Sequence, residues 1–195
     1  IYNCITSYAD RLKFFQECMF LLLCGCGTGF SVQRHHVAKL PRLIKQKSGS
    51  KKFTIPDSIE GWSDAIGVLV SSYFDQDELF PEYNGKSVNF DYSLIRPAGS
   101  LLKSSGGKAP GPEPLKNALT SIKKILDKSL KHADFAAEEL RGLTPVEAYD
   151  IVMHGADAVI SGGVRRSATI CVFSPDDEEM AKAKTGNWFI ENPQR

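Results

Sequence analysis

Cysteine is the residue type whose positions in this sequence most directly suggest chemistry. None of the five cysteines forms a Cys-x-x-Cys pair, the spacing typical of structural zinc sites, so we expect no metal site. The odd count without paired spacing favours a reducing, cytoplasmic setting. Cys4 follows Tyr2 and Asn3 in a short apolar run, where a small core residue is the common interpretation and a redox thiol the alternative. The other four are expected to be core or loop residues: Cys18, Cys24, Cys26 and Cys171.

A glycine-rich segment at 104–111 has the composition of a ligand-binding loop. Paired glycines let a ligand approach the backbone, and free N–H groups can bind phosphate or ribose oxygens. The segment is not a P-loop, because Leu102 stands where the first glycine is needed and Ala109 where Ser or Thr is needed. An ordinary turn is the alternative. The residues of interest are Ser105, Gly106, Gly107 and Ala109.

A second glycine segment carries two adjacent arginines between a predicted helix and a predicted strand. Arginine offers a planar fork of donors that suits phosphate, and it also stacks on bases. The alternative is a helix C-cap followed by two solvated arginines. The segment consists of Gly162, Gly163, Val164, Arg165, Arg166 and Ser167.

Two other patterns resemble ligand sites but fail on their context. The glycines at 25, 27 and 29 follow a predicted helix and precede a predicted strand, whereas a dinucleotide fingerprint needs the reverse order. His35 and His36 are adjacent on what we predict to be a strand, so they should point to opposite faces and not share an ion.

Hydrophobic periodicity predicts the elements that must position these residues. Ser58 and Thr144 are good N-cap residues, and Thr144 with Glu147 forms a capping box. The 39–52 segment is basic and is expected to be an exposed loop. Helices and strands alternate, which indicates an α/β protein with crossover connections. Helices are predicted over 10–24, 59–73, 115–131, 145–160 and just after 177, and strands over 30–34, 88–94 and 168–173.

Composition limits the partners of the chain. Lys plus Arg total 24 and Asp plus Glu total 23, so no bulk positive field favours direct DNA binding. The sequence has no signal-peptide pattern and no apolar run long enough to cross a membrane, so we expect no membrane association. We read both ends, Ile1 and Arg195, as cuts through a longer chain or as processing points.

Taken in order, the motifs resemble the catalytic domain of class II ribonucleotide reductases, and especially the monomeric ribonucleoside-triphosphate reductases. Each motif is weak alone, but six in family order are hard to obtain by chance. The matching segments are 2–4, 26–32, 57–62, 96–112, 163–168 and 186–189.

The resemblance implies a ten-stranded α/β barrel built from two parallel half-barrels. Residues 1–195 would form a partial catalytic barrel domain of about one half-barrel. An insertion around 35–95 would lie near the effector site and stand in for a dimer partner, which implies a monomer at full length.

The same resemblance implies the reduction of ribonucleotides, as triphosphates, to deoxyribonucleotides for DNA synthesis. The family uses thiyl-radical chemistry, with adenosylcobalamin as the radical source and a cysteine pair as the reductant. The implied partners are a ribonucleoside triphosphate, a dNTP effector and a thioredoxin-like dithiol reductant.

Site residues follow from the motifs that match the family. Cys4 corresponds to the first cysteine of the reducing pair, while the thiyl cysteine with its Asn and Glu partners is expected beyond Arg195. Asn3 joins the 105–109 glycine residues as substrate contacts, and the 162–167 segment corresponds to the specificity loop. Asp10 and Arg34 fall near the positions that bind the effector's ribose and phosphate.

Two alternatives stay open on the sequence. One is a non-catalytic nucleotide-binding regulatory module that keeps only the effector site, and the other is a cobalamin-independent ribonucleotide reductase large subunit. The reductase interpretation depends on Cys4 facing the same cavity as the two glycine segments.

Overall fold

The computed structural model describes residues 3–47, 49–74, 79–102, 107–132, 142–160 and 168–195. The strands within this part are β1 (Cys4–Tyr8), β2 (Gly27–Ser31), β3 (Ser50–Thr54), β4 (Ser87–Asp91) and β5 (Ala168–Val172). The α-helices are α1 (Lys13–Leu23), α2 (Arg34–Val37), α3 (Ile59–Ser71), α4 (Glu113–His132), α5 (Pro145–Ile160), α6 (Glu178–Lys182) and α7 (Trp188–Glu191), with a 3₁₀ turn at Pro81–Tyr83.

The main sheet has the order β1-β2-β5, and all of its strands run parallel. Helices cover one face, where the ring of Phe30 lies 5.8 Å from that of Phe14 and 6.4 Å from that of Tyr149. The opposite face, called here the open face, carries side chains that remain exposed, such as Ile170 at 68%. Parallel strands joined through helices confirm the predicted α/β class.

Four helices pack around a shared apolar core behind the sheet. α1 contacts α3 and α5, and α4 contacts α5 and α3. Polar bonds tie these pairs together: the hydroxyl of Tyr73 donates to Asp127 at 2.6 Å, and the amide of Gln16 donates to Asp64. In the described part of the chain, no helix combines the length and apolar character needed to cross a membrane.

Two predicted helix starts are confirmed by their caps, whereas α1 begins at Lys13 and not at the predicted residue 10. Ser58 Oγ accepts a hydrogen bond from the backbone N–H of Gly61 at 3.0 Å. Thr144 and Glu147 bond each other's backbone N–H at 3.3 and 2.8 Å, which is the predicted capping box. Helices at 59–71 and 145–160 therefore begin where the local sequence satisfies their first free N–H groups.

The predicted strand at 30–34 is wrong in position, because β2 occupies Gly27–Ser31. Its glycines are part of the strand, where the backbone N–H of Gly27 donates to the carbonyl of Asn3 at 2.8 Å. His35 and His36 consequently lie in α2, with ring centroids 3.9 Å apart, and not on opposite faces of a strand. His36 Nδ1 lies 2.9 Å from Ser31 Oγ.

A second, two-stranded parallel sheet joins β3 to β4. The prediction of an exposed loop over 39–52 is wrong for its last three residues, which belong to β3. Lys52 is on the exposed face and forms an ion pair with Asp91 at 2.7 Å. Lys51 and Phe53 are on the other face, where Lys51 Nζ lies 4.6 Å from the ring centroid of Tyr83 and Phe53 packs edge-on against Phe90, with ring centroids 6.2 Å apart. The adjacent lysines therefore concealed a short strand that has one phenylalanine on its inner face.

Candidate functional site

Cys4 is the first residue of an edge strand, and its thiol lies over the neighbouring strand. A Cβ built on Gly27 would be 3.2 Å from Cys4 Sγ, which places the sulfur above the backbone of β2. The side chain is exposed, so the interpretation of Cys4 as a small core residue is wrong. The open face therefore carries an exposed thiol at the amino-terminal end of β1.

Three chain segments enter the sheet at the end where its parallel strands begin. Cys4, Gly27 and Ala168 are register partners at the starts of three parallel strands. Because parallel strands begin on one side of a sheet, the residues that precede them converge there. Asn3 is one of these residues and is exposed. Ala168 directly follows the predicted specificity loop, although Gly162, Gly163, Val164, Arg165, Arg166 and Ser167 lie outside the described residues.

A cavity of about 260 Å³ opens among the helix ends that lie near the starts of the strands. α1 and α5 end at its wall, while α3 and α4 begin there. Its lining is mostly apolar with one ion pair, a composition common in ligand pockets. The lining residues are Leu23, Asp57, Ser58, Ile59, Trp62, Ile95, Arg96, Leu102, Ala109, Pro110, Gly111, Ala158 and Val159.

The first glycine segment enters this cavity as an antiparallel ribbon. Ala109 bonds Ser100 and Gly99 through its N–H and C=O at 2.7 and 2.9 Å, and the N–H of Leu102 donates to Gly107 at 2.8 Å. Ala109 lines the cavity, and Gly107, two residues earlier in the same ribbon, does not. Their role as substrate contacts stays a prediction. Ser105 and Gly106 lie outside the described residues.

The polar group in the cavity wall is an ion pair that the sequence analysis did not single out. Arg96 Nε lies 2.6 Å from Asp57 Oδ2, and both side chains are about one third exposed. Trp62 adds a flat aromatic surface. A guanidinium and an indole in the wall of one cavity suit a planar, hydrogen-bonding ligand. The available signal was the N-cap at Ser58, which places Asp57 and Trp62 at one helix start.

Asp10 and Arg34 lie at the opposite end of the sheet, where the parallel strands end. Asp10 follows the carboxyl end of β1 and pairs with Arg11 at 2.9 Å. Arg34 begins α2, and its guanidinium bonds the side chain and carbonyl of Asp176 at 2.5 and 3.1 Å. A five-residue strand is about 13 Å long, so these residues are well separated from Cys4. Their role in effector binding stays a prediction.

Cys4 and Asn3 are absent from the lining of the described cavity. The thiol lies on the open face of the sheet, whereas the cavity lies at the ends of the helices on the covered face. Within the described residues, the thiol and the cavity lie at the same end of the sheet, but the thiol does not line the cavity. The sequence analysis required Cys4 to face the cavity that the glycine segments line, and the described cavity does not meet that requirement.

The cysteines should differ sharply in reactivity. Burial raises the pKa of the Cys18 thiol to about 12, and burial likewise raises that of Cys171 to about 12. The thiolate is the nucleophile, so at about pH 8 these two groups stay protonated and unreactive. We expect iodoacetamide to label Cys4 in the folded protein and to spare Cys18, as measured by peptide mass spectrometry. Unfolded protein, labelled at all five cysteines, is the control, and equal native labelling of Cys18 and Cys4 would contradict the described burial.

Comparison with known proteins identifies the family. Residues 32–126 match the family model described as the insertion domain of B12-dependent ribonucleotide reductase. The adenosylcobalamin-dependent ribonucleoside-triphosphate reductase of Euglena gracilis is 33% identical over 190 residues, which cover 97% of this chain and 23% of that protein. The chain belongs to the B12-dependent ribonucleotide reductase family. The resemblance stated from the motifs is thereby confirmed.

Further relatives support the same family. The putative adenosylcobalamin-dependent ribonucleoside-triphosphate reductase of Mycobacterium phage D29 is 36% identical over 140 residues, covering 71% of this chain and 18% of that protein. A crystal structure of a B12-dependent (class II) ribonucleotide reductase superposes with a TM-score of 0.72 at 25% identity, covering 91% of this chain and 27% of that one. This class II reductase chain spans about a quarter of the length of the curated relatives it matches.

The insertion-domain match includes much of the cavity wall. It extends from Val32 to Leu126 and therefore contains both strands of the second sheet, α3 and most of α4. The remaining wall comes from the ends of α1 and α5, which lie outside that match. In this class II reductase chain the cavity is thus a junction between the insertion-domain segment and the helices of the main sheet.

Proposed function

We propose that this chain is part of an enzyme that reduces ribonucleoside triphosphates to deoxyribonucleotides, with Cys4 as one of the two reducing thiols. The observation that carries the proposal is the exposed thiol on the open face, held over Gly27 at the edge where three parallel strands begin. Membership in the family makes this thiol chemically meaningful, because a lone exposed cysteine would otherwise be unremarkable.

The chemistry needs two thiols and balances without another reductant. The C2′–O bond of the ribose breaks, and the hydroxyl leaves as water after it takes up a proton. A hydrogen replaces it on C2′, and the two thiols lose two protons and two electrons to form a disulfide. Cys4 would supply one sulfur, and the partner cysteine would come from beyond Arg195. A thioredoxin-like dithiol would then reduce the disulfide.

We propose that the cavity binds a nucleotide, whereas the ribose that Cys4 reduces would lie on the open face, because the thiol does not line the cavity. Trp62 offers a surface for a base, and Arg96 offers charged donors to ribose or phosphate oxygens. Asp57 holds the guanidinium in place at 2.6 Å before the ligand arrives. The first glycine segment contributes Ala109 to the wall, and Val159 of the wall lies three residues before Gly162 in the sequence.

Adenosylcobalamin is the proposed cofactor, and when bound it would supply the radical that begins the reaction. The described residues of this chain do not form a site that fits a corrin. The cavity at the helix ends is about 260 Å³ and is bounded by packed helices, and His36 is bonded to Ser31. We therefore assign no cobalamin contact to these residues and derive only what the thiol and the nucleotide pocket do.

The remaining features of the proposal concern the whole protein. The described parallel sheet would be part of a ten-stranded barrel, with 1–195 as about one half-barrel and the 35–95 region as an insertion near the effector site. The protein would act in the cytoplasm as a monomer. Its dNTP effector would contact the specificity loop at 162–167 together with Asp10 and Arg34.

An assay of the full-length protein tests the function. Purified protein with a ribonucleoside triphosphate and dithiothreitol should form deoxynucleotide when adenosylcobalamin is added and none when it is omitted. Product without added cobalamin would favour the cobalamin-independent reductase. Nucleotide binding without product in either arm would favour the regulatory module and would reject the proposed activity.

A further inference from the structure

The placement of Gly27 beneath the Cys4 thiol raises the question of why glycine occupies this position. Glycine weakens a strand, because it contributes no side-chain packing and loses more backbone entropy on folding. Gly27 does not have the positive φ that requires glycine elsewhere in the described chain, for example at Gly25 with φ +86°. The backbone at position 27 would therefore accept another residue, and the reason for glycine must lie in its surroundings.

Those surroundings are dominated by the sulfur of Cys4. An ideal Cβ on Gly27 would lie 3.2 Å from Cys4 Sγ, 3.7 Å from the carbonyl oxygen of Asn3 and 3.9 Å from that of Ala168. The first distance is tighter than an ordinary van der Waals contact, while the other two are normal. The thiol is thus the group that a side chain at position 27 would displace.

We propose that Gly27 is a positioning residue for the Cys4 thiol. Its missing side chain lets Sγ turn inward over β2, toward Ala168 and β5, although Cys4 itself belongs to an edge strand. With a methyl group at position 27 the sulfur must shift by at least a few tenths of an ångström, away from the middle of the sheet. The significance for turnover rests on the proposed redox role of Cys4, whereas the geometric effect on the thiol does not.

Gly29 provides a matched control on the same strand and the same face. A Cβ there would lie 3.1 Å from Cγ2 of Thr6 and 3.2 Å from Cγ2 of Ile170. Gly29 also lacks a positive φ. Gly29→Ala therefore introduces comparable crowding into β2 without touching the sulfur, and it separates loss of strand stability from displacement of the thiol.

The test uses the full-length protein and measures the thiol directly. Cys4 alkylation by iodoacetamide is followed across pH by mass spectrometry of the tryptic fragment that ends at Arg11, which separates Cys4 from the other four cysteines. We expect Gly27→Ala to raise the Cys4 alkylation rate roughly two- to tenfold, because the displaced sulfur is more accessible. Gly29→Ala should leave that rate at the parent value.

Turnover is the second readout. In Gly27→Ala we expect kcat to fall on the order of tenfold to a hundredfold with KM within about twofold, because a misplaced reacting group lowers the rate without loosening substrate binding. If the protein proves not to be a reductase, the alkylation arm still decides the positioning role. An unchanged Cys4 alkylation rate in Gly27→Ala, or the same change in both glycine variants, would overturn the proposal.

A double variant covers the case in which Gly27→Ala does not fold. Removing the sulfur with Cys4→Ala relieves the close contact, so Cys4→Ala/Gly27→Ala should recover the parent's circular dichroism and melting temperature. Failure of the double variant to recover would show that the methyl group harms the strand by another route, and it would reject the positioning role.

Discussion

Cys4→Ser in the full-length protein is expected to stop multiple turnover with a dithiol reductant while nucleotide binding persists. A serine hydroxyl keeps the size of the side chain but cannot give up electrons to form a disulfide. We expect kcat to fall by a factor on the order of 10³ or more, as for other side chains that take part covalently in a reaction. Deoxynucleotide formation is measured over many enzyme equivalents, and nucleotide affinity is measured by calorimetry.

Cys24→Ser is the matched control for this experiment. Cys24 is exposed and lies immediately after α1, near the same edge of the sheet, but it matches no redox position of the family. We expect its turnover to stay within about twofold of the parent, because serine keeps the size of the side chain and no redox step is assigned to this cysteine. Sustained parental turnover by Cys4→Ser would remove the redox role from Cys4 and leave the family assignment intact.

Arg96→Ala is expected to weaken nucleotide binding by roughly tenfold to a hundredfold. The guanidinium is the only cationic side chain in the lining of the described cavity. Its loss removes a charge-assisted hydrogen bond, worth about 1.5–3 kcal/mol, and leaves the carboxylate of Asp57 facing an anionic ligand. The dissociation constants of a ribonucleoside triphosphate and of a dNTP are measured separately by calorimetry, so that substrate and effector binding are distinguished.

Two other arginine variants are compared with Arg96→Ala. Arg42 is exposed and outside the cavity lining, so Arg42→Ala should leave both affinities within about twofold. Arg34→Ala examines the effector prediction at the opposite edge of the sheet, and a loss confined to dNTP would support it. Parental affinities for both nucleotides in Arg96→Ala would place the nucleotide outside this cavity.

A second ion pair is more buried and has more contacts than the Asp57–Arg96 pair. Arg195 bonds both carboxylate oxygens of Asp150 at 2.7 and 2.6 Å and the carbonyl of Ala183 at 2.9 Å, with both charged side chains less than 15% exposed. That pair ties the segment after α7 to α5. The cavity pair is more exposed and has a single close contact, so solvent screens it and its contribution to folding is small.

The helices were the most predictable part of this fold. α3, α4 and α5 have apolar residues at helical spacing, and α3 and α5 begin at side chains that cap their own N–H groups. Both signals act within a few residues, so they operate before any tertiary contact forms. The family was also recognisable from local motifs, because six short segments rich in glycine, proline and arginine occur along the chain in the order typical of the family.

Strands were less predictable, because their stability depends on partners distant in sequence. β2 begins three residues earlier than expected, since the bonds to β1 and β5 make Gly27 and Gly29 part of a ladder that local propensity disfavours. β3 was hidden by two adjacent lysines, one on each of its faces, and only pairing with β4 reveals it. The register of a strand is therefore a property of the sheet more than of its own residues.

The sequence by itself determined the five main helices to within a few residues, the α/β class and the family, because these depend on periodicity, capping and ordered motifs. Only the tertiary structure decided that Cys4 is exposed over Gly27 and that Asp57 meets Arg96 across 39 residues of chain. The same is true of Arg34, which turns to Asp176 at the far edge. Each of these facts depends on which segments of the chain become neighbours, and packing of the sheet and helices selects those neighbours through many weak contacts that no local pattern encodes.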